Sequence, residues 1–506
     1  MRLVTPLEMM KLEELANKAG VTYEKMMETA GTGLAAHLAK FAESLGTDAM
    51  LFLCGNGNNA GDCFVAAKLL SARFRVTVGL TGGIPKTRTA YAKYKEMANV
   101  PMLTDPAEIK AAVEAHQLIV DGVFGIGFRG ELSPAVKEMF AVINADAEKK
   151  CIAVDIPSGG NALNGTVAAG APRCAATVTF GAAKRGLLMP PLSEYCGMVH
   201  LVEIGIPQEA FDALGYPVSR ISANTVKTML PPRPENSHKG MFGKLLVVAG
   251  SRNMPGAAML AVQAALRSGV GLCTIASDES VCRMVVGSAP ECMMLPVPTD
   301  AKGMLCIQSV KPILDYAKGC TAVLIGPGLG LSGEIRQMVG GLLRALNCPV
   351  ILDADGLNAI ADSIDILQEV KKPAILTPHP AEMGRLMSCT VNEVQKDRIA
   401  SAKKLAERFP KTVVVLKGAG TVVANTEHAA INMTGNSGMS KGGSGDVLAG
   451  IIAGLSAQQI DAEAAAMCGV YLHGLAGDCA AAEFSKRAML PSDLIRQLPL
   501  VFGDYD

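Results

Sequence analysis

Apolar positions in this chain follow two alternating rhythms. Short unbroken apolar runs, bounded by glycine, asparagine or aspartate, alternate with stretches in which apolar residues recur at helical spacing. Residues 6–18 and 22–44 carry the helical period. In the second of these Met26, Met27, Ala30, Leu34 and Leu38 share a face, and Thr22 is placed to cap it. Runs at 49–54, 75–80, 118–121 and 151–155 read as buried strands with helices between them. A second series follows at 244–249, 272–276, 322–325, 350–353, 374–376 and 413–416, with a small-residue helix over 257–267. Uninterrupted apolar strands separated by helices are covered on both faces, which predicts an α/β fold of two doubly wound, three-layer domains. Between the series, Leu230-Pro231-Pro232-Arg233-Pro234 admits neither a helix nor a central strand. The boundary is expected within 208–230, with a first domain over 1–215 and a second over 225–506. A chain of 506 residues is too long for one ordinary domain.

Composition narrows the picture. Lys plus Arg total 47 against 47 Asp plus Glu, and no basic tail exists, so no nucleic-acid partner is expected. The 14 cysteines form no CxxC and sit in apolar runs such as Leu51-Phe52-Leu53-Cys54, as small buried residues in a reducing compartment do. The N-terminus lacks a signal-peptide pattern and no apolar run is long enough to span a bilayer. A cytoplasmic protein with small-molecule partners and no membrane contact is expected.

Candidate chemistry lies at the strand ends. The first is Gly55-Asn56-Gly57-Asn58-Asn59-Ala60-Gly61-Asp62, a GxGxxA loop between strand and helix. The next strand runs into Thr81-Gly82-Gly83 with no acid to hold a ribose hydroxyl, which argues against a standard NAD-binding domain. The second follows Asp121, where Gly125-Ile126-Gly127-Phe128-Arg129-Gly130-Glu131 contains a GxGxxG. The third is Asp155-Ile156-Pro157-Ser158. In a parallel sheet these ends share one edge, and several neutral oxygens with few carboxylates suit a weakly bound monovalent cation. Asp121 or Asp155, taken singly, also reads as a helix cap.

In the second half, polar stretches again follow strands. They are Gly326-Pro327-Gly328, Asp353-Ala354-Asp355, Thr377-Pro378-His379-Pro380-Ala381-Glu382-Met383-Gly384-Arg385 and Lys417-Gly418-Ala419-Gly420-Thr421. Last comes Asn436-Ser437-Gly438-Met439-Ser440-Lys441-Gly442-Gly443-Ser444-Gly445-Asp446, which runs straight into an apolar helix. Glycines and free N–H groups at a helix start make an anion site. Lys441 is placed to neutralise phosphate charge. Asp446, in the first helical turn, is placed to take a proton from a hydroxyl that attacks phosphorus.

GNGNNAGD, VDGVFGIGFRGE and AVDIPSG together resemble the YjeF-type N-terminal epimerase domain of the NAD(P)H-hydrate repair enzymes, over about residues 1–210. The resemblance implies that Asn59, Asp121 and Ser158 contact potassium. It also implies that Asn58, Asn59, Ala60, Gly61, Asp62 and Gly125 to Glu131 bind the hydrated nucleotide, with Asp155 as acid/base residue. Ala60 and Cys63 stand where the family pattern has glycine; Ala60 matters if the loop needs positive φ there. TPHPAEM, LKGAGT and NSGMSKGGSGDVLAG resemble the ribokinase-like dehydratase half of the same enzymes, over about 225–500. That likeness implies hydrate contacts from Gly256, Gly328, His379 to Arg385, and Asp446. Nucleotide contacts would come from Lys417 to Thr421 and Asn436 to Gly445, with magnesium carried by ADP or ATP. A homo-oligomer is implied as well. The expected activity is epimerisation of hydrated NADH and NADPH followed by nucleotide-dependent dehydration. A vitamin or alcohol kinase fused to a non-catalytic binding or scaffold domain is the alternative.

Overall fold

The computed structural model describes residues 2–214 and 218–505, so the limits at 1, 215 and 506 used above lie outside the described residues. The chain divides into two compact units, Met1–Val218 and Ser219–Asp506. No helix among the described residues is long and apolar enough to cross a membrane.

The first unit opens with helix Pro6–Lys18, capped by Thr5 and Glu8 in a reciprocal box, and helix Tyr23–Leu45, capped by Thr22 as its sequence predicts. Seven parallel strands form the sheet. Their order is Met102–Leu103, Arg75–Leu80, Ala49–Cys54, Leu118–Gly122, Lys150–Val154, Ala176–Phe180, Met198–Val202. The chain winds outward from Ala49–Cys54 in one direction, then resumes at Leu118–Gly122 in the other. The crevice between those two strand ends is the topological switch point, where open α/β sheets bind ligands. Helix Asn58–Leu70 begins earlier than the glycine loop suggested, so Asn58 to Asp62 are its first residues. Ala60 therefore has ordinary helical backbone, fully buried, and needs no glycine.

The second unit is built on a ten-stranded sheet. From Met293–Pro296 through Leu272–Ser277, Lys244–Val248, Ala322–Ile325, Val350–Leu352 and Ala374–Leu376 to Thr412–Leu416, every pairing is parallel. Beyond it Thr421–Ala424 and Ala429–Asn432, which lie outside the predicted apolar runs, pair antiparallel. The reason is loop length: residues 417–420 are too few for a crossover, so the chain turns back as a hairpin. The switch point lies between Lys244–Val248 and Ala322–Ile325. There Gly250 N–H donates to Pro327 O at 2.7 Å.

Helix Ser444–Ala457 carries apolar residues on every face and is buried almost throughout. It packs on helix Pro255–Arg267 nearly backbone to backbone. A Cβ on Gly450 would lie 2.2 Å from Ala261 O, and one on Gly454 would lie 2.7 Å from Ala265 O. Since backbone carbonyls cannot swing aside, Gly450→Ala is expected to destabilise the second unit by about 1–3 kcal/mol despite its better helix propensity. The check is a lowered urea midpoint for that unit's unfolding transition.

Candidate active sites

A cavity of about 810 Å³ opens at the first unit's switch point. Its lining joins Asn58, Asn59 and Asp62 from one strand end to Gly125, Ile126, Gly127, Phe128, Arg129 and Glu131 from the next, and to Asp155 from the third. Asp155 does not cap a helix. It sits at φ +67°, and the hydrogen bond from Ile156 N–H to Val154 O (2.8 Å) closes a tight turn around it. Such a conformation is strained for any residue but glycine, and strain of this kind gathers at functional sites. Its carboxylate accepts from Thr179 Oγ1 at 2.9 Å and from Lys184 Nζ at 2.5 Å. The Lys184 ammonium is fully buried and also donates to Thr179 Oγ1 (3.2 Å) and Phe180 O (2.9 Å). Sequence reasoning missed Lys184. It lies in a two-residue strand paired with Leu3–Val4, and only a lysine closing the apolar run 176–183 hinted at it. Two further carboxyls line the cavity, Glu13 and Asp62. Burial pushes both up in pKa; at Asp62 the neighbouring Asp155 and Glu13 add to the shift.

Asp121, Ser158 and Asn59 do meet, just below the cavity. Ser158 donates to Asp121 through its N–H (2.7 Å) and its Oγ (2.6 Å), and Val123 N–H adds a third bond at 3.3 Å. Asp121 is therefore no helix cap either. Burial raises its pKa to about 6, while the Ser158 bonds oppose the shift. Asn59 Nδ2 donates to Phe124 O (3.2 Å) and Val154 O (3.1 Å), which ties three strand ends together. The Ala60 and Gly61 side positions face away from the cavity: Ala60 is fully buried, and a Cβ on Gly61 would strike the Met27 thioether at 2.5 Å. Gly130 is absent from the lining and supplies a turn at φ +90°. Cys63 Sγ fills the space above Gly122, where an added Cβ would lie 2.1 Å from it.

In the second unit, the N-terminus of helix Ser444–Ala457 meets the end of strand Thr412–Leu416. Asp446 is the third helical residue, and Gly443 precedes the helix at φ +103°. Lys417 Nζ lies 3.3 Å from where a Gly445 Cβ would stand, so the ammonium reaches the helix start. The same ammonium donates to Asp353 Oδ1 at 2.7 Å and lies 3.8 Å from Glu382 Oε2. Burial works against the charge on Lys417, but Asp353 and Glu382 outweigh it and hold its pKa above the ordinary value. Burial, then Asp353, also raise the pKa of Asp446, to about 7, with Lys417 opposing. Asp353 is itself fixed by Thr377 Oγ1 at 2.6 Å. Next to it Ala354 is held at φ +49°, ψ −116°, a second strained strand end. Arg398 supports the Lys417 turn from behind, donating to Leu416 O (2.9 Å), Lys417 O (3.1 Å) and Ala419 O. Nothing in the sequence near residue 398 marks that role.

The other predicted residues divide into three groups. His379 caps helix Pro380–Met387, its Nδ1 accepting from Ala381 N–H (3.1 Å) and Glu382 N–H (3.3 Å). Glu382 closes the box by accepting from His379 N–H, and Arg385 reaches Asn358 Oδ1 at 3.0 Å. Gly256 is in the first turn of helix Pro255–Arg267, and Gly328 faces it at φ +65° against Met254 O. Gly418 and Gly420 take φ +143° and +64° in the hairpin turn, where Thr421 Oγ1 donates to Gly418 O at 2.8 Å. A third group faces inward. Met383 is fully buried, Gly384 abuts Cys389 O, Gly438 abuts Lys486 O, and Met439 packs on Gly477. Asn436 is clamped by Asp478 (3.0 Å) and holds Gly438 N–H (2.9 Å), shaping the turn Ser437–Met439 before Ser440 and Gly442. Lys441 departs from expectation. Its ammonium donates to Arg487 O (2.8 Å) and Met489 O (2.6 Å), because the end of helix Ala462–Ala488 leaves carbonyls that need donors. The lysine beside the start of helix Ser444–Ala457 is Lys417.

Comparison with known proteins agrees with this division. A family model described as NAD(P)H-hydrate dehydratase matches residues 245–500, and one described as YjeF-related protein N-terminus matches 23–186. The chain is 36% identical over 518 residues to the bifunctional NAD(P)H-hydrate repair enzyme Nnr of Moorella thermoacetica, covering 100% of this chain and 97% of that protein. It is 33% identical to the Nnr of Escherichia coli K12, covering 96% and 90%. Among solved structures, a ribokinase-like superfamily protein of Enterococcus faecalis V583 matches with a TM-score of 0.51 and 26% identity, over 57% of this chain and 96% of that one. A likeness over the whole length, at this identity and in the same domain order, places the chain in the family of bifunctional NAD(P)H-hydrate repair enzymes.

Proposed function

We propose that this chain repairs hydrated NADH and NADPH, epimerising the hydroxyl-bearing carbon in its first unit and removing the hydroxyl in its second. The observation that carries the reading is Asp446. It stands at a glycine-built helix start, its pKa lifted to about 7 by burial and by Asp353, beside the part-buried Lys417. Hydroxide is a poor leaving group. Asp446 would take the hydroxyl proton as the oxygen attacks the terminal phosphorus of ADP or ATP. The N–H groups of Gly442 to Gly445 and the Lys417 charge would receive the phosphoryl group, and phosphate would then leave to restore the ring double bond. Among the described residues no group of three or more His, Cys, Asp or Glu side chains would hold a metal ion. Magnesium would therefore take most of its ligands from nucleotide phosphates and water, supplying charge neutralisation there.

In the first unit Asp155, ion-paired to Lys184, would move the proton as the hydroxyl-bearing carbon opens and recloses. The oxygens of Asp121, Ser158 and Phe124 lie within one hydrogen-bonded cluster, which Asn59 joins by donating its amide N–H to Phe124 O. Neutral oxygens with a single carboxylate suit potassium, which would supply weak positive charge under the ligand phosphates.

Mixing the full chain with both hydrate epimers, magnesium, potassium and ADP or ATP should restore reduced-nicotinamide absorbance completely. Recovery that stops once one epimer is exhausted would reject the epimerase half. A stable phosphate ester with no recovered absorbance would reject the dehydratase half in favour of a kinase.

The raised pKa of Asp446 also makes a stability prediction. In the fold the carboxyl stays protonated up to about 7, whereas the unfolded chain ionises near 3.8, so stability falls as pH rises across that window and the penalty is complete above it. Asp446→Asn is expected to match the wild type in thermal unfolding at acidic pH and to melt higher at alkaline pH. The same substitution should lower the dehydration rate by about 10²–10⁴-fold. Equal melting shifts at both pH extremes would contradict the assignment.

A further inference from the structure

Helix Pro6–Lys18 lies outside the stretch 23–186 that the YjeF-related model matches, yet it supplies one wall of the first unit's cavity. Met9, Leu12 and Ala16 are buried, which fixes the helix's rotation. Met9, Met10 and Glu13, neighbours at helical spacing, all line the cavity. The helix is tied at its start by the Thr5–Glu8 box, and Glu8 pairs with Arg185 at 3.3 Å, next in sequence to Lys184. Glu13 is thus held in the same cavity as the Asp155–Lys184 pair by packing and by an ion pair it does not itself make.

The two acidic centres in this cavity differ chemically. Lys184 spends its three N–H bonds on Asp155, Thr179 and Phe180 O, so it has none left for Glu13. The Glu13 carboxyl makes no hydrogen bond or ion pair among the described residues. Burial raises its pKa, with Lys184 opposing and Asp155 adding. The groups that act on it or share its electrostatic neighbourhood are Lys184, Asp155 and Asp62, and Arg129 and Glu131 line the same cavity. No three of these carboxyls are gathered closely enough to chelate a metal. An unpaired carboxyl lining the same cavity as an ion-paired one is an arrangement that can separate an acid from a base in a single site.

We propose that Glu13 is a second acid/base residue of this site, the proton donor to the hydroxyl of the hydrated ring, with Asp155 serving the returning water. The proposal rests on the epimerase reading. The Glu13 carboxyl passes its proton to the hydroxyl, the carbon–oxygen bond breaks and water forms. The ring-nitrogen lone pair makes a carbon–nitrogen double bond, whose positive charge the new Glu13 carboxylate faces. Water then adds to the other face of that carbon and gives its extra proton to Asp155. Proton exchange with solvent resets the two carboxyls, and no oxidant or co-reactant is consumed.

The test uses the full chain and a single hydrate epimer without nucleotide, following appearance of the other epimer by chromatography. Glu13→Gln should lower kcat by about 100-fold or more with KM little changed, and should remove the loss of rate that the wild type shows as Glu13 ionises at higher pH. Glu13→Asp, which keeps the acid, should retain that alkaline limb and part of the rate. Three results would overturn the proposal: Glu13→Gln within about threefold of wild type, a change confined to KM, or Glu13→Gln and Glu13→Asp equally impaired with lowered melting temperatures. A wild type that dehydrates but does not interconvert epimers would instead remove the epimerase reading, and the proposal with it.

Discussion

Each unit is organised around a lysine–aspartate pair at the carboxyl ends of its parallel strands, buried in the first unit and part-buried in the second. The pairs are Lys184–Asp155 at 2.5 Å and Lys417–Asp353 at 2.7 Å. Taking two charges out of water is expensive, and removing one partner of such a pair typically costs about 3–5 kcal/mol because the other is left uncompensated. The folds meet that cost with further bonds. Thr179 and the Phe180 carbonyl complete the first pair, and Thr377 completes the second. A strained residue accompanies each, Asp155 itself in one unit and Ala354 in the other. Pairs of this kind are costly packing and useful chemistry, since they keep one charge fixed next to groups that titrate.

What surrounds the pairs separates the two sites. In the first unit the partners are the walls of a cavity rich in methionine and phenylalanine, where burial keeps Glu13 and Asp62 tending towards the neutral form. In the second the partner is a helix start. There the glycines at 442, 443 and 445 bring backbone N–H groups and the Lys417 ammonium to one place, and Asp446 is left with a pKa of about 7. The first environment suits proton movement on a ring, the second transfer of a charged phosphoryl group. One sheet architecture thus supports two reactions through what its loops and helix ends carry.

Helix Ser444–Ala457 shows how packing reaches the chemistry. Its glycines at 450 and 454 let it lie against the backbone of helix Pro255–Arg267. That contact sets the depth of the helix, and so where Asp446 stands relative to strand Thr412–Leu416. Arg398 performs the matching task from the other side by holding the carbonyls of the Lys417 turn.

Most of the central parallel strands, the opening helices and the glycine-rich loops at the strand ends were legible in the sequence, because each rests on local rules. Apolar runs make buried strands, Thr22 caps the helix it precedes, and glycine-rich loops follow strands at one sheet edge. Whatever depended on which side chains meet was not legible. Lys184 lies 29 positions from Asp155 and Lys417 lies 64 from Asp353, and no periodicity records such a pairing. Lys441 shows the converse: its neighbours in sequence placed it on the phosphate, and the unsatisfied carbonyls of a distant helix end claimed it. Glu13 is one polar position of the helix predicted over 6–18, and only the tertiary structure places it, half-buried, in one cavity with a charged pair. Sequence determined which groups each strand end would carry. Tertiary structure decided which of them are neutral, which are paired and which face a ligand, because burial and charge proximity are properties of the assembled fold.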